Sequence, residues 1–394
     1  GSITTTGGFA NITYFGIETQ NELTASPDLT VNGTAADDVL TINATGADSG
    51  TYQLNSGPVI AFSGITSFTY NGLDGDDRLV INNPTGALFD PSGGIFFNGG
   101  TGGEDGDGDV LQILGGTATT VEHQFANAND GSIFLDGEVT STITYTGLEP
   151  IIDTITATDR IFSYTGAAEI ITLADDGDVG DGESQINSTL GEIVVFAHPT
   201  GTLTINTEVA GGSGADTVIV NAVDSTFTAN LTVNAGNDDT LTIAGPTNIG
   251  SGNADLNAGQ VNVNGTFTTS GTVDVDANDQ ITFAAAGIID ATANTIDLTA
   301  GNNIQLGQIT TSGNVTVTAT AGAISDVNAG NNITANQATL TAGAGAGVGN
   351  ALETALGFLE GNISGGLELA ELNGIVIGNA GGINGLTVSG NTTI

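Results

Sequence analysis

Cysteine, methionine and tryptophan are absent from this chain, and so is lysine, because its two basic residues are Arg78 and Arg160. Without cysteine there are no disulfides and no thiolate metal sites. Without lysine there are no Lys–Asn isopeptide crosslinks. Two cations against 44 Asp and Glu leave a net charge of -42, which argues against nucleic acid and anionic membrane surfaces as partners. No apolar run approaches ~18 residues, so no transmembrane helix and no membrane insertion are expected. Aromatics make up only 5% of the residues, too few for a wide globular core.

What is present is small and β-branched. The apolar 39% is rich in Ala, Val and Ile, set among Thr, Asn and 61 Gly. That composition suits a thin core built from many short repeats. The acids repel one another: two carboxylates 4 Å apart cost about 1 kcal/mol in water and about 4 at a near-surface dielectric. Clustered carboxylates therefore call for cations, and Ca2+ is the natural ion for all-oxygen sites. The chain opens on "GSITTTGG", with neither Met nor a leader, and is expected to be processed or excised from something longer.

Internal repeats organise the first half. "ITYFGIE" (12–18) recurs as "ITYTGLE" (143–149), and "SFTYNGLDGDDRLVIN" (67–82) pairs with "TLTINTEVAGGSGADTVIVN" (202–221). Asp77 then matches Asp216. A further pairing, of 96–116 with 232–245, matches Asp109 with Asp239. The stretch "GGSGADTVIV" (211–220) fits the calcium nonapeptide G-G-x-G-x-D-x-U-x in a single clean copy. Degenerate relatives at 33–41, 72–80 and 234–242 place Asp two residues before an apolar residue, where a turn enters a strand.

The second half reads as short alternating triplets, such as "ADL" (254–256), "VDV" (273–275), "IDL" (296–298) and "VTV" (315–317). Period-2 alternation turns their apolar residues inward and Asn, Asp or Thr outward. Strands this short do not survive as hairpins, but they do as rungs of a parallel β-helix. The expected fold is therefore all-β, a β-solenoid less regular in its N-terminal half. One exception, "ALETALGFLE" (351–360), has helical spacing and predicts a short helix. The expected divisions are acidic modules at 1–140 and 141–245, a regular β-helix at 246–345, and helix plus terminal strands at 346–394.

Candidate metal ligands follow from the acidic turns. They are Asp37 and Asp38; Asp74, Asp76 and Asp77; Asp105, Asp107 and Asp109; Asp176, Asp178 and Asp181; and Asp216, Asp238 and Asp239. Alternating Asp and Gly lets the backbone wrap an ion. The alternative at each is a solvated acidic loop, or an Asp capping its own turn. No catalytic set emerges. Lyases acting on acidic sugars need basic residues, the two histidines, His123 and His198, read as surface or turn residues, and 44 acids contain carboxylate pairs by chance. Threonine rows such as "VTVTAT" (315–320) keep no single period, so ice binding is not supported.

Five stretches carry a resemblance. "FNGGTGGEDGDGDVLQILGG", "NGLDGDDRLVIN" and "GGSGADTVIV" resemble the hemolysin-type calcium repeats of secreted bacterial proteins. "TTSGNVTVTATAGAI" resembles filamentous-hemagglutinin-like β-helix repeats of adhesins, and residues 348–378 resemble a block in giant β-strand-repeat surface proteins of aquatic bacteria. The resemblance implies secretion to the cell surface, calcium and a structural or adhesive role. It departs from the calcium repeats in lacking tandem nonapeptides. The expected function is an extracellular structural module of a fibre, surface layer or giant adhesin, associating end to end with copies of itself. The alternatives are a monomeric stalk binding surface glycans, or a glycan-cleaving β-helix enzyme.

Overall fold

A computed structural model of the chain describes residues 27–100, 108–138, 140, 142–165, 167–208, 214–378 and 385–394, and the backbone of the strands Ser2–Ile3, Ile12–Thr13 and Thr19–Gln20. Among these residues there is no helix, and the strands form a large mixed, mostly parallel sheet. The chain divides into two compact units, Gly1–Thr165 with Glu183–Gly201, and Gly166–Gly182 with Thr202–Ile394.

In the first unit, strands distant in sequence lie side by side in parallel. Asp28–Asn32, Ser67–Leu73, Ile95–Gly100 and Ile143–Thr146 make one run, which aligns Leu29, Phe68, Ile95 and Ile143. Val39–Gly46, Arg78–Asn83, Val110–Gly115, Ile151–Asp153 and Val194–Ala197 make a second. Alternation decides which side chains enter the core. Leu40, Ile42, Leu79, Ile81, Leu111 and Ile113 point inward and are buried. Outward residues of the first run meet in the same register, where Asn71 bonds Asn32 and Asn98 bonds Asn71 through their amides at 2.7 and 2.6 Å. Antiparallel excursions make the sheet mixed: Val39–Gly46 pairs with Ser49–Leu54, and Thr117–Phe125 with Gly131–Leu135.

The second unit is more regular. Leu203, Leu231, Ala254, Val273, Ile296, Val315, Ala338 and Leu359 stack through successive parallel pairings, and all are buried. A second stack runs through Val218, Leu241, Val261, Ile281, Ile304 and Ile324. A third runs through Phe267, Ile289, Ile309 and Ile333. Each triplet read from the sequence does what its alternation requires. Ala254, Leu256, Val273, Val275, Ile296 and Leu298 are buried, while Asp255 and Asp274 are exposed and Asp297 is half-buried.

The helix expected at 351–360 does not form. Leu352–Ile363 is one long strand, paired in parallel with Ile333–Ala342 on one side and with Leu367–Glu371, Val376–Ile377 and Leu386–Val388 on the other. The helical spacing has a different origin. Leu352, Thr354 and Leu356 are buried, Gly357 is exposed, and burial resumes at Leu359 in the opposite phase. The strand turns a corner at Gly357, so two period-2 runs out of phase imitate an i, i+4, i+7 pattern. Ala254–Val263 changes phase in the same way at Gly259. Parallel partners on both edges outweigh the helix propensity of Ala, Leu and Glu.

Leu359 lies within the first stack and is fully buried, whereas Val376, in the adjoining strand, is 53% exposed. Leu359→Ala should therefore lower unfolding stability by about 2–5 kcal/mol, and Val376→Ala by about 0.5 or less, in denaturant titrations of the full chain. Equal effects would show that 351–360 does not pack as this strand.

Candidate metal centre

The aspartates that sequence matching pairs are used in the same way in both units. In the first, the backbone N–H of Asp38 donates to Asp77 Oδ1 at 2.8 Å, and that of Asp77 donates to Asp109 Oδ1 at 2.7 Å. In the second, the N–H of Glu169 donates to Asp216 Oδ1, and that of Asp216 to Asp239 Oδ1, both at 2.8 Å. Each carboxylate thus clasps the backbone of the preceding pass of the chain. Such a charge-assisted bond contributes about 1.5–3 kcal/mol when buried, and Asp38, Asp77, Asp109, Asp216 and Asp239 are all buried.

Local sequence makes the clasp possible. Each of these aspartates ends a turn and is followed by an apolar inward-facing strand, so its side chain folds under the turn. Glycine supplies the room. A Cβ on Gly72 would overlap Asp77 Oδ2, and one on Gly99 would overlap Asp109 Oδ2. Asp38 is further held by the Thr34 hydroxyl at 2.9 Å and by the Asn55 amide. The bonding leaves particular atoms without partners. Asp216 Oδ2 is buried and makes no hydrogen bond among the described residues, while the buried Tyr70 hydroxyl lies against the Asp77 carboxylate. Burial, against the pull of the Asp38 N–H and with the charges of Asp109 and Asp38, pushes the Asp77 carboxyl up to about 6. Burial likewise pushes Asp216 up to about 6, against the Glu169 N–H, with Asp239, Glu208 and Asp238 adding to it.

Some acids converge further. Glu208, Asp238 and Asp239 each offer an oxygen, all within 4.8 Å of one another, and the group can hold a metal ion. Glu208 follows the strand Thr202–Asn206, while Asp238 and Asp239 lie in the turn between Asn230–Asn234, its parallel partner in the next pass, and Thr240–Ile243. The partial burial of Glu208 and the charges of Asp239 and Asp238 push its carboxyl up. Glu208 was not among the residues chosen from sequence. Its signal was its position, level with Leu73 when 202–221 is set against 67–82.

The remaining acids behave differently. Asp37 Oδ1 accepts the Asp76 N–H at 3.1 Å, and Asp74 is exposed. Asp105 and Asp107, like 211–213 of the nonapeptide, lie outside the described residues. Asp176 accepts the Asp178 N–H at 3.2 Å within its own turn and has an oxygen within 4.8 Å of one on Asp181, in a group that could hold a metal ion, while Asp178 and Asp181 are exposed. The Gly180 N–H goes to Asp224, whose carboxylate also accepts the Thr226 hydroxyl at 2.6 Å.

A buried ionic group in the first unit escaped the sequence reading. Asp153 takes the inward place that Ile42, Ile81 and Ile113 occupy in the same register. Arg160 Nη1 donates to its Oδ2, His123 Nε2 lies 3.0 Å from the same atom, and the Ile155 N–H donates to Oδ1 at 2.9 Å. All three ionisable groups are fully buried. Burial opposes the Asp153 charge, but Arg160 and then His123 override it and hold its carboxyl well below the usual range. His123 is therefore not the surface or turn residue expected. It stacks on Phe162 at 5.2 Å, and burial holds its imidazole below its ordinary pKa. His198 is half-buried, 3.0 Å from Ser184 Oγ. Glu192 has no such cation. Burial, then the charges of Glu149 and Asp130, pushes its carboxyl up to about 9.

Comparison of the chain with protein families, with curated proteins and with solved structures finds no match.

Two predictions follow from these contacts. Gly72→Ala drives a methyl into Asp77 and into the Gly99 carbonyl, whereas Gly330→Ala meets open space. Gly72→Ala should cost at least about 2 kcal/mol of stability and Gly330→Ala about 0.5 or less, read by denaturant unfolding. For Glu192, the folded chain keeps a proton that the unfolded chain releases between about 4.5 and 9, so its contribution to stability falls as pH rises through that window. Glu192→Gln, which cannot ionise, should melt close to wild type near pH 5 and progressively above it toward pH 9. Parallel melting profiles would mean that Glu192 is already charged in the fold.

Proposed function

We propose that the chain is an extracellular structural protein. In this reading each unit is a run of β-solenoid coils stiffened by Ca2+, serving as a module of a cell-surface fibre, surface layer or giant adhesin. The observation that carries it is the column of buried carboxylates crossing successive passes, Asp38 to Asp77 to Asp109 and Glu169 to Asp216 to Asp239, in a chain with two basic residues. Such a column ties neighbouring passes through backbone bonds but concentrates like charge along one line. A divalent ion relieves that repulsion and adds a further tie. Long parallel ladders of this kind transmit load through hydrogen bonds and resist it without disulfides.

Association with further copies is part of the proposal. Ile377 stacks on Leu359 in register, yet it is 45% exposed where Leu359 is fully buried. Among the described residues nothing covers it, and its strand offers backbone groups to a further strand, from a longer chain or from another copy.

The test is to compare the full chain in calcium with the same chain in excess chelator. Calcium should raise the melting temperature by several degrees and promote concentration-dependent assembly, followed by light scattering and electron microscopy. Identical melting and identical particle size under both conditions would overturn the reading. A calcium-dependent melt with a strictly monomeric chain would favour the stalk instead.

A further inference from the structure

We infer that Asn373–Gly374 is a site of spontaneous modification, at which the asparagine is converted through a succinimide to aspartate and isoaspartate, and that the charge so formed is set against Glu371.

The chemistry needs only the chain and water. The backbone nitrogen of a glycine that follows asparagine attacks the side-chain Cγ. An N–Cγ bond forms, the Cγ–Nδ2 bond breaks, and the glycine N–H proton leaves with the amide as ammonia. Water then opens the ring at either carbonyl, giving aspartate or isoaspartate. Glycine favours the attack because it has no Cβ to hinder the approach. Asparagine precedes glycine at 32, 71, 98, 264, 373 and 384, so the sequence does not choose among them. Asn384 lies outside the described residues.

The remaining five differ in the state of the attacking nitrogen. The Gly33 N–H donates to the Asn71 carbonyl at 2.8 Å, and the Gly265 N–H to the Ile243 carbonyl at 3.0 Å. Gly72 and Gly99 are buried inside the strands Ser67–Leu73 and Ile95–Gly100, which pair with each other. An extended, paired backbone holds its nitrogen away from the preceding side chain, so reaction at these four requires local opening. Asn373 and Gly374 instead are exposed, in the bend between Leu367–Glu371 and Val376–Ile377. Among the described residues the Gly374 N–H makes no backbone bond, and its φ of 84° takes Gly374 out of the extended region.

The surroundings give the product a consequence. Glu371 Oε1 accepts the N–H groups of Leu356 and Asn373, both at 3.2 Å, and Oε2 accepts the Thr354 hydroxyl at 2.8 Å. This carboxylate ties the bend to the strand Leu352–Ile363 just before its corner. With its nitrogen turned to the acceptors beside it, the Asn373 amide donates to the Leu356 carbonyl at 3.3 Å and to Glu371 Oε1 at 2.5 Å. Conversion replaces that donor with an acceptor and sets a second negative charge beside Glu371. The second unit contains neither lysine nor arginine to offset it. The bend should loosen, and Val376–Ile377 with it.

The test is peptide mapping, with an isoaspartate assay, of the full chain aged in warm, mildly alkaline buffer. The denatured chain, in which every Asn–Gly pair is open, gives the reference rate. In the folded chain Asn373 should react at least about tenfold faster than Asn32, Asn71, Asn98 or Asn264. A folded rate at Asn373 no higher than at those four would overturn the site. Asn373→Gln, whose longer side chain has to close a larger ring, should lose the reaction, and persistence of the same mass gain in that peptide would also overturn it. Asn373→Asp reproduces the charge, and its Val376 and Ile377 amides should exchange hydrogen faster than those of Asn373→Gln. Equal exchange would overturn the consequence at Glu371.

Discussion

A carboxylate bonded to the backbone N–H of the preceding pass is the contact on which the acidic half of this fold depends. Parallel strands already share hydrogen bonds along their length, and some turns share backbone bonds between passes as well. Asp77 and Asp109 in the first unit, and Asp216 and Asp239 in the second, extend the bonding into the turns. In the first unit Gly72 and Gly99 leave the room that Asp77 and Asp109 occupy. The turns therefore look loose in sequence and are tightly determined in space.

The same contact creates the electrostatic problem. A carboxylate that reaches under a turn loses water and acquires another carboxylate as neighbour. Burial and like charge raise the affinity of Asp77 and Asp216 for protons. The chain meets such charge in three ways. Arg160 neutralises Asp153, with His123 hydrogen-bonded to the same oxygen, where it interrupts a column of isoleucines. Glu192, buried beside Glu149 and Asp130, holds a proton. Asp255 and Asp274 are exposed to water, although for Asp274 partial burial and then the charges of Asp276, Asp297 and Asp255 still push the carboxyl up. The convergence at Glu208 is served by none of these.

Alternation was legible because it is local. Each of the triplets from 254 to 317 needs only its own residues to say which side chains face in, and the burial follows. The pairing of Asp77 with Asp216 and of Asp109 with Asp239 was legible as repetition, and the four make the same bond. The strand Leu352–Ile363 was misread because a corner at Gly357 shifts the phase of alternation by one residue, and spacing alone does not distinguish that shift from a helical turn. His123, Asp153 and Arg160 were invisible as a group. Their contact depends on which strands lie side by side, and no spacing in the chain records it.

The sequence by itself determined an all-β chain with a thin aliphatic core, an outward acidic surface and no covalent crosslink through cysteine, since these follow from composition and a two-residue period. Only the tertiary structure decided which carboxylates are buried, which share a neighbour and which have a cation of their own. Stacking brings residues together that lie tens of positions apart, and the length of each intervening turn, rather than any local pattern, sets which side chains meet.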